Sequence, residues 1–301
     1  MFFERWGRAV AVLVLGLALV AVASCGRDQN TRSSAVALDD FGDTIVAGAP
    51  SARIVSLNPV ATEMLFALGA GRRVVGRTHW DLFPDAARAV RDLGDGMQPN
   101  VEAVLGARPD LVILYAGSAN RGAAQRLRRA GIATLAVRTD RVADFRRTVR
   151  LLSRAVGDTN AGNQLADSVE RSLRVVSGRP RPAKPPAVFW LIWETPLYTI
   201  GGGSYMTELV EAAGARNVFG DLPAASPQVT MEELVRRDPD YILTGPVGAA
   251  HIRTGPEWRA VPAVRAGRIL VVDTTLVGRP GVRLGEAARH LRALILHDTV
   301  P

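Results

Sequence analysis

The chain carries an internal repeat, and this repeat limits its fold more than any other feature. Residues 62–76 contain Thr-Glu-Met-Leu, then a glycine, then Arg-Val-Val-Gly. Residues 207–220 contain Thr-Glu-Leu-Val, then a glycine, then Asn-Val-Phe-Gly. The glycine, Gly69 or Gly214, stands at the same distance from the threonine in both copies. Each copy predicts a short helix that ends at a left-handed glycine and leads into a strand.

A second pair of similar segments follows later in each half. Residues 100–114 read NVEAVLGARPDLVIL, and residues 230–243 read TMEELVRRDPDYIL. Asn100 and Thr230 are residue types that cap helix N-termini. A proline then stops each helix, and the apolar run after it is typical of a buried strand. Both halves therefore predict the same order of helices and strands.

This order predicts an α/β fold of two lobes, each with a mostly parallel sheet flanked by helices. The N-terminal lobe is predicted at residues 51–138 and the C-terminal lobe at residues 181–301. Between them, residues 139–180 have apolar side chains at the helical period, which predicts one long backbone helix. Gly157-Asp158 is the point at which this helix could be interrupted. Four prolines close to residue 180 mark the crossing into the second lobe.

The N-terminus has the order of a secretory signal, with Arg5 and Arg8 before an apolar run from residue 9 to residue 22. The run is shorter than the roughly 20 residues that span a bilayer. Small residues lead into Cys25, the single cysteine of the chain, and this pattern resembles the lipobox of bacterial lipoproteins. We expect a signal peptide at residues 1–24, lipidation of Cys25 and a flexible tether at residues 25–50. Lipid chains would hold the protein outside the cytoplasm on a membrane surface.

The formal net charge is +8 and comes almost wholly from arginine, since Lys184 is the single lysine. A basic balance can indicate nucleic acid as a partner. The arginines are scattered, however, and an exported protein rarely meets nucleic acid, so we expect no such partner. An electropositive surface could still attract an anionic ligand.

The chain resembles a known family over about residues 52–296. The matching segments are residues 53–59, 62–63, 75–76, 109–112, 217–220, 227–229, 239–240 and 279–281. They resemble the helical-backbone metal-receptor proteins, which bind substrate for ABC importers of ferric siderophores, haem and vitamin B12. The resemblance implies a metal-chelate ligand, a corrinoid or a ferric siderophore, held in the cleft between the lobes. It also implies a two-fold permease partner, and no resident cofactor or catalytic residue.

Candidate ligand-binding residues follow predicted strands. Trp80, Tyr115 and Trp193 come at or just beyond strand ends, where open α/β sheets bind ligands. Flat aromatic side chains suit a large chelate that is partly apolar. The resemblance implies that aromatic residues at the places of Trp80 and Tyr115 contact a corrinoid. Gly96 stands where the vitamin B12-binding members carry another tryptophan, so the type of chelate is left open. Trp190 falls in mid-strand and is expected in the core.

Polar candidates lie in the second half. Arg279 and Arg283 flank a glycine before the last helix and could pair with an anionic group of the ligand. Tyr205 follows a run of three glycines that would let a ligand approach the backbone closely. His79 could serve as an axial ligand to the metal of a haem or corrinoid, and a surface histidine is the alternative.

Two glutamates stand at equivalent places in the repeat. Glu102 and Glu232 are predicted at the second position of a helix in each lobe, where the helix dipole favours a carboxylate. The resemblance implies that this pair docks onto arginines of the permease.

Other classes of function fit the sequence less well. The chain has no Gly-x-Ser-x-Gly, P-loop or His-Glu-x-x-His motif, so we expect no enzyme. A lipoprotein that binds bare zinc or manganese is an alternative. Such a site needs three or four converging ligands, and of the four histidines in the chain only His79 lies near the end of a predicted cleft strand. A ligand sensor of the same fold is a further alternative.

Overall fold

The computed structural model of the chain describes residues 37–45 and 49–297. The strands of this part are β1 (Ala37–Leu38), β2 (Thr44–Ile45), β3 (Ile54–Leu57), β4 (Val74–Gly76), β5 (Leu111–Tyr115), β6 (Ala133–Val137), β7 (Ala187–Trp193), β8 (Tyr198–Thr199), β9 (Arg216–Asn217), β10 (Tyr241–Thr244) and β11 (Ile269–Val271). The α-helices are α1 (Pro59–Ala67), α2 (Val101–Gly106), α3 (Ser118–Arg129), α4 (Asp144–Val156), α5 (Thr159–Ser177), α6 (Tyr205–Ala212), α7 (Met231–Arg237), α8 (Pro246–Thr254), α9 (Pro262–Arg265), α10 (Thr274–Val277) and α11 (Leu284–Leu296). Short 3₁₀ helices cover Gly71–Arg73, Asp85–Ala89 and Pro256–Ala260.

The two lobes have the same sheet topology. In the first sheet the order is β4-β3-β5-β6, with every pair parallel. In the second sheet β9, β7, β10 and β11 are paired in the corresponding order and are also parallel. The second sheet adds β8, which runs antiparallel to β7. The α/β class, the mostly parallel sheets and the internal repeat are therefore confirmed.

Local capping signals place the helices as the sequence predicts. Asn100 and Thr230 each accept a hydrogen bond from a backbone amide three residues on, at 3.1 Å. Gly69 and Gly214 follow α1 and α6 with φ values of +73° and +90°. A side chain disfavours that backbone conformation, so glycine ends each helix and turns the chain toward the next strand.

A single hydrophobic cluster runs through both lobes and through the helices between them. It extends from Ile54 on β3 and Leu65 on α1, through Val169 on α5, to Val188 on β7 and Leu291 on α11. A smaller cluster fills the opposite face of each sheet. Each sheet is thus covered on both faces, as parallel sheets are.

The predicted single helix over residues 139–180 is divided in two. Gly157 has φ +81° and ends α4, and Asp158 caps α5 by accepting a hydrogen bond from the Ala161 amide at 2.8 Å. Arg146 near the start of α4 donates to Glu170 in the second half of α5 at 2.6 Å, so the two helices are antiparallel. The linking helix is therefore α5 alone, which has 19 residues and is about 28 Å long.

Part of the predicted tether belongs to the N-terminal lobe. Strands β1 and β2 form a hairpin, and the turn between them is bonded to β6. The Asp39 carboxylate accepts from the Ala136 amide at 2.9 Å, and the Asp40 amide donates to the Ala136 carbonyl at 2.9 Å. These bonds fix residues 37–45 on the edge of the first sheet. The predicted signal peptide and Cys25 lie outside the described residues.

Candidate ligand-binding site

A cavity of about 550 Å³ lies at the carboxyl ends of β7 and β10. Its walls come from the end of β7 and the following residues, the start of α8 and the segment around α10. The lining is mostly apolar, and Trp193 and Val247 expose 64% and 71% of their surface. Trp190 also lines the cavity but is 3% exposed and packs in the core, where the sequence predicts it. The cavity size and lining are typical of a small-molecule site.

The polar groups of the cavity are few. Glu194 directly follows β7, His251 lies on α8, and Thr244 ends β10. The Glu194 carboxylate contacts the His251 ring and the indole of Trp258. None of these three residues is among the sequence-predicted site residues, although Glu194 adjoins Trp193, which is. Their positions after β7 and on the helix after β10 are the signal that could have found them.

Trp193 lies at the end of β7, as the sequence predicts. Its indole Nε1 donates a hydrogen bond to the Thr195 carbonyl at 2.9 Å. The rest of the ring is left free for contact from the cavity, because Trp193 is among the most exposed apolar side chains described. A ring held at one edge can offer its face to a flat ligand with little loss of entropy.

Trp80 lies on the N-terminal lobe and contacts a residue next to the lining of this cavity. It is 57% exposed, and its ring packs against His79 with the centroids 4.5 Å apart. The Trp80 carbonyl accepts a hydrogen bond from Arg279, which directly follows the lining residue Gly278. The family resemblance implies a ligand between the lobes, whereas the lining of this cavity comes from the C-terminal lobe. Through Arg279, Trp80 connects the N-terminal lobe to a residue next to the cavity lining.

Arg279 and Arg283 meet a buried carboxylate of the opposite lobe. Glu63 on α1 is 1% exposed, and its Oε1 lies 3.6 Å from Arg279 Nη1 and 3.3 Å from Arg283 Nη2. Burial raises the pKa of Glu63, although the two guanidinium groups act in the opposite direction. Arg283 also lies over the Phe83 ring, 3.8 Å from its centroid. Both arginines thus hold the lobes together, and their contact with a ligand stays a prediction.

The second copy of the repeat makes a similar contact. In the repeat, Glu208 on α6 is equivalent to Glu63, and Glu208 Oε1 lies 2.6 Å from Arg141 Nε. Arg141 precedes α4, which packs on the N-terminal lobe. Each Thr-Glu pair of the repeat therefore supplies a carboxylate that an arginine from the other half of the chain neutralises.

Tyr115 and Tyr205 are held by hydrogen bonds within the protein. Tyr115 ends β5 and donates to Asp140 Oδ1 at 2.8 Å, and burial together with this carboxylate raises the pKa of its phenol to about 12. Tyr205 is 9% exposed at the start of α6 and donates to the Val277 carbonyl at 3.1 Å. Burial raises the pKa of Tyr205 well above its ordinary value. The structure places neither side chain in the lining of the cavity.

Glu102 and Glu232 occupy matching positions on the surface. Each is the second residue of its helix, α2 or α7, and each is exposed. A hydrogen bond from its own backbone amide and one from Thr230 lower the pKa of Glu232, so its charge is retained at neutral pH. The pair presents two carboxylates at equivalent places on the two lobes.

In residues 37–45 and 49–297, no group of three or more His, Cys, Asp or Glu side chains is placed to hold a metal ion. Over the same residues, no helix combines the length and apolar character needed to cross a bilayer.

The sequence profile of the family described as "Periplasmic binding protein" matches residues 54–276, from β3 to α10. The chain belongs to the periplasmic binding protein family. The resemblance to the substrate-binding proteins of ABC importers is thus confirmed, and the family is one of binding proteins rather than enzymes.

Relatives of this periplasmic binding protein cover most of its length. The uncharacterized ABC transporter substrate-binding lipoprotein YvrC of Bacillus subtilis is 32% identical over 97% of this chain and 98% of its own. The solved vitamin B12-binding protein BtuF of Vibrio cholerae has a TM-score of 0.72 at 23% identity, over 83% of this chain and 98% of its own. The haem-binding protein RhuT of Roseiflexus sp. RS-1 has a TM-score of 0.72 at 25% identity, over 83% and 97%. The two solved neighbours share one fold and are named for different ligands.

Proposed function

We propose that this chain is the extracytoplasmic substrate-binding lipoprotein of an ABC importer. In this proposal it captures a metal chelate of the corrinoid, haem or ferric siderophore class and delivers it to a permease. The observation that carries the proposal is the apolar cavity at the ends of β7 and β10, with Trp193 exposed on its wall. The family and the names of the relatives support an importer and an extracytoplasmic location.

The chemistry of the cavity favours a large chelate over a small polar solute. An exposed indole and an exposed valine cost free energy in water, and a ligand that covers them recovers about 25 cal/mol per Å² of apolar surface. The few polar groups are Glu194, His251 and three threonines, which can orient a ligand without dominating its binding. A chelate with apolar faces matches this division.

Two further parts of the proposal concern how the protein is held and how it docks. The naming of a relative that covers 97% of the chain as a lipoprotein supports lipidation of Cys25. The exposed and equivalent positions of Glu102 and Glu232 support docking onto a two-fold permease. A symmetric permease offers two equivalent sockets, and a repeated binding protein can fill both.

The proposal is tested by titration of tryptophan fluorescence. Cyanocobalamin, haemin, and ferric hydroxamate and catecholate siderophores are added separately to the full chain. We expect saturable quenching by one class of chelate. Trp193→Ala should weaken its binding about tenfold or more, since a buried aromatic contact contributes roughly 1.5–3 kcal/mol.

Met97→Ala is the matched control, because Met97 is an exposed apolar residue outside this cavity. It should bind like the wild type. Binding of zinc or manganese without binding of any chelate would overturn the proposal and favour the bare-metal alternative.

A further inference from the structure

One wall of the cavity carries a histidine whose ring is oriented by a carboxylate. The Nδ1 atom of His251 lies 3.1 Å from Glu194 Oε2, and both residues line the cavity. A carboxylate accepts hydrogen bonds, so in the neutral imidazole this contact favours the ring proton on Nδ1 and the lone pair on Nε2. Among the described residues, none hydrogen-bonds Nε2 of His251, and the side chain is 62% exposed. The basic nitrogen is therefore open to a ligand.

The carboxylate is itself fixed from behind. Glu194 Oε1 accepts a hydrogen bond from the indole Nε1 of Trp258 at 2.7 Å. Trp258 is fully buried and packs against Phe189 in the core of the C-terminal lobe. An ordinary surface ion pair has two mobile partners and contributes little to stability. Here a buried indole, a carboxylate and an imidazole form a chain from the core to the cavity.

This chain of contacts is the arrangement that orients an imidazole toward a metal. A histidine that ligates a metal usually donates its other ring N–H to a carboxylate, which fixes the tautomer and raises the basicity of the ligating nitrogen. The described residues supply no second and third ligand beside His251 for a bare ion. A metal that arrives with most of its ligands already in place needs one donor from the protein.

We infer that Nε2 of His251 binds the metal of the captured chelate as an axial ligand, with Glu194 as the positioning residue. The inference rests on the proposed function and narrows its ligand class. The chelate is a macrocycle whose metal has an exchangeable axial position, because a hexadentate siderophore leaves its iron no open site. The Nε2–metal bond forms as a metal–water bond breaks; water leaves with both protons, and no electron is transferred.

The inference is tested by absorption and paramagnetic resonance spectra of the full chain with ferric haemin and with aquocobalamin. Metal-free protoporphyrin is the probe that keeps the ring and removes the metal. We expect a spectrum of histidine ligation that His251→Ala abolishes, with about a tenfold or greater loss of haemin affinity. Binding of metal-free protoporphyrin should be equal in wild type and variant. Glu194→Gln should keep the bond and alter its spectrum, since the amide is a weaker acceptor.

His79→Ala tests the rival axial histidine, because His79 is an exposed histidine of the other lobe for which the sequence also allows that role. If His79→Ala removes the axial spectrum, or if His251→Ala leaves both spectra unchanged, the inference is overturned while the proposed function stands. If ferric desferrioxamine binds and the two macrocycles do not, the inference also fails and the importer proposal survives. Failure of all these chelates to bind would count against the proposed function itself.

Discussion

Two buried acids lie close to the interface of the lobes. Glu63 is paired with two arginines, whereas Asp81 accepts a hydrogen bond from the Thr78 amide at 2.8 Å and is fully buried. Burial is the largest influence on both, and it raises the pKa of each carboxyl above its ordinary value. A folded state with such a group binds its proton more tightly than the unfolded state does.

The sign of the resulting pH dependence follows from Asp81. Its contribution to the free energy of unfolding is fully present below about pH 4 and is lost as pH rises through the raised folded-state pKa. We therefore expect Asp81→Asn to gain stability relative to wild type between pH 4 and pH 7. Urea unfolding at both pH values measures this gain. Asp85→Asn is the control, since the Asp85 side chain is 98% exposed, and a parallel response of both variants would contradict the account.

The site residues differ in how far the sequence could predict them. Trp193 could be placed because the end of a strand is a local signal, and the structure leaves it exposed on the cavity wall. Glu194 and His251 are 57 residues apart and meet only through the packing of α8 beside β7. The ion pair between Arg279 and Glu63 could not be predicted from sequence, because the two residues belong to different lobes.

At the scale of elements, the left-handed glycine at the end of α4 decides the shape of the linking segment. Gly157 has φ +81°, and an added Cβ would lie 2.5 Å from Pro50 Cγ. Gly157→Ala should cost about 1–2 kcal/mol from backbone strain alone, measured by urea unfolding. Gly122→Ala on α3 should instead stabilise by about 0.5–1 kcal/mol, since its Cβ would meet nothing within 4 Å. Equal effects of the two substitutions would contradict the account.

Helices α2 and α7 give a prediction about the permease. Glu102→Lys and Glu232→Lys should each reduce the stimulation of permease ATPase by about tenfold or more, since each reverses one member of a docking charge pair. The double variant should abolish stimulation, and all three should keep chelate affinity. Glu257→Lys, an exposed glutamate on a 3₁₀ helix, is the control. Loss of ATPase stimulation with Glu257→Lys would refute docking through these helices. Unchanged stimulation with Glu102→Lys and Glu232→Lys would also refute it.

Most helices and strands can be predicted from local sequence signals. The division of α4 from α5 shows where such signals are insufficient. Asn100, Thr230, Gly69 and Gly214 act on the residues next to them, so their caps could be predicted. One long helix and two antiparallel helices have the same apolar period. Gly157-Asp158 marked a possible break, but the fold-back of α5 on α4 depends on packing and on contacts such as Arg146 with Glu170.

At the scale of the whole molecule, the lobes are held together in three ways. One hydrophobic cluster passes through both lobes, and the ion pairs at Glu63 and at Glu208 connect them. We expect the radius of gyration to change by less than about 1 Å on ligand binding, as in other preorganised sites. Small-angle X-ray scattering with and without a saturating chelate measures it. A large compaction would contradict this expectation.

The proposed function requires that a metal chelate binds in the cavity at the ends of β7 and β10. This binding site can be mapped by hydrogen–deuterium exchange of the full chain, with and without the chelate that binds best. We expect slower exchange at residues 190–195 and 244–251, with a smaller effect around Trp80. Protection confined to the separate hollow of about 570 Å³ between residues 97–99 and α3 would contradict it, as would protection of neither region.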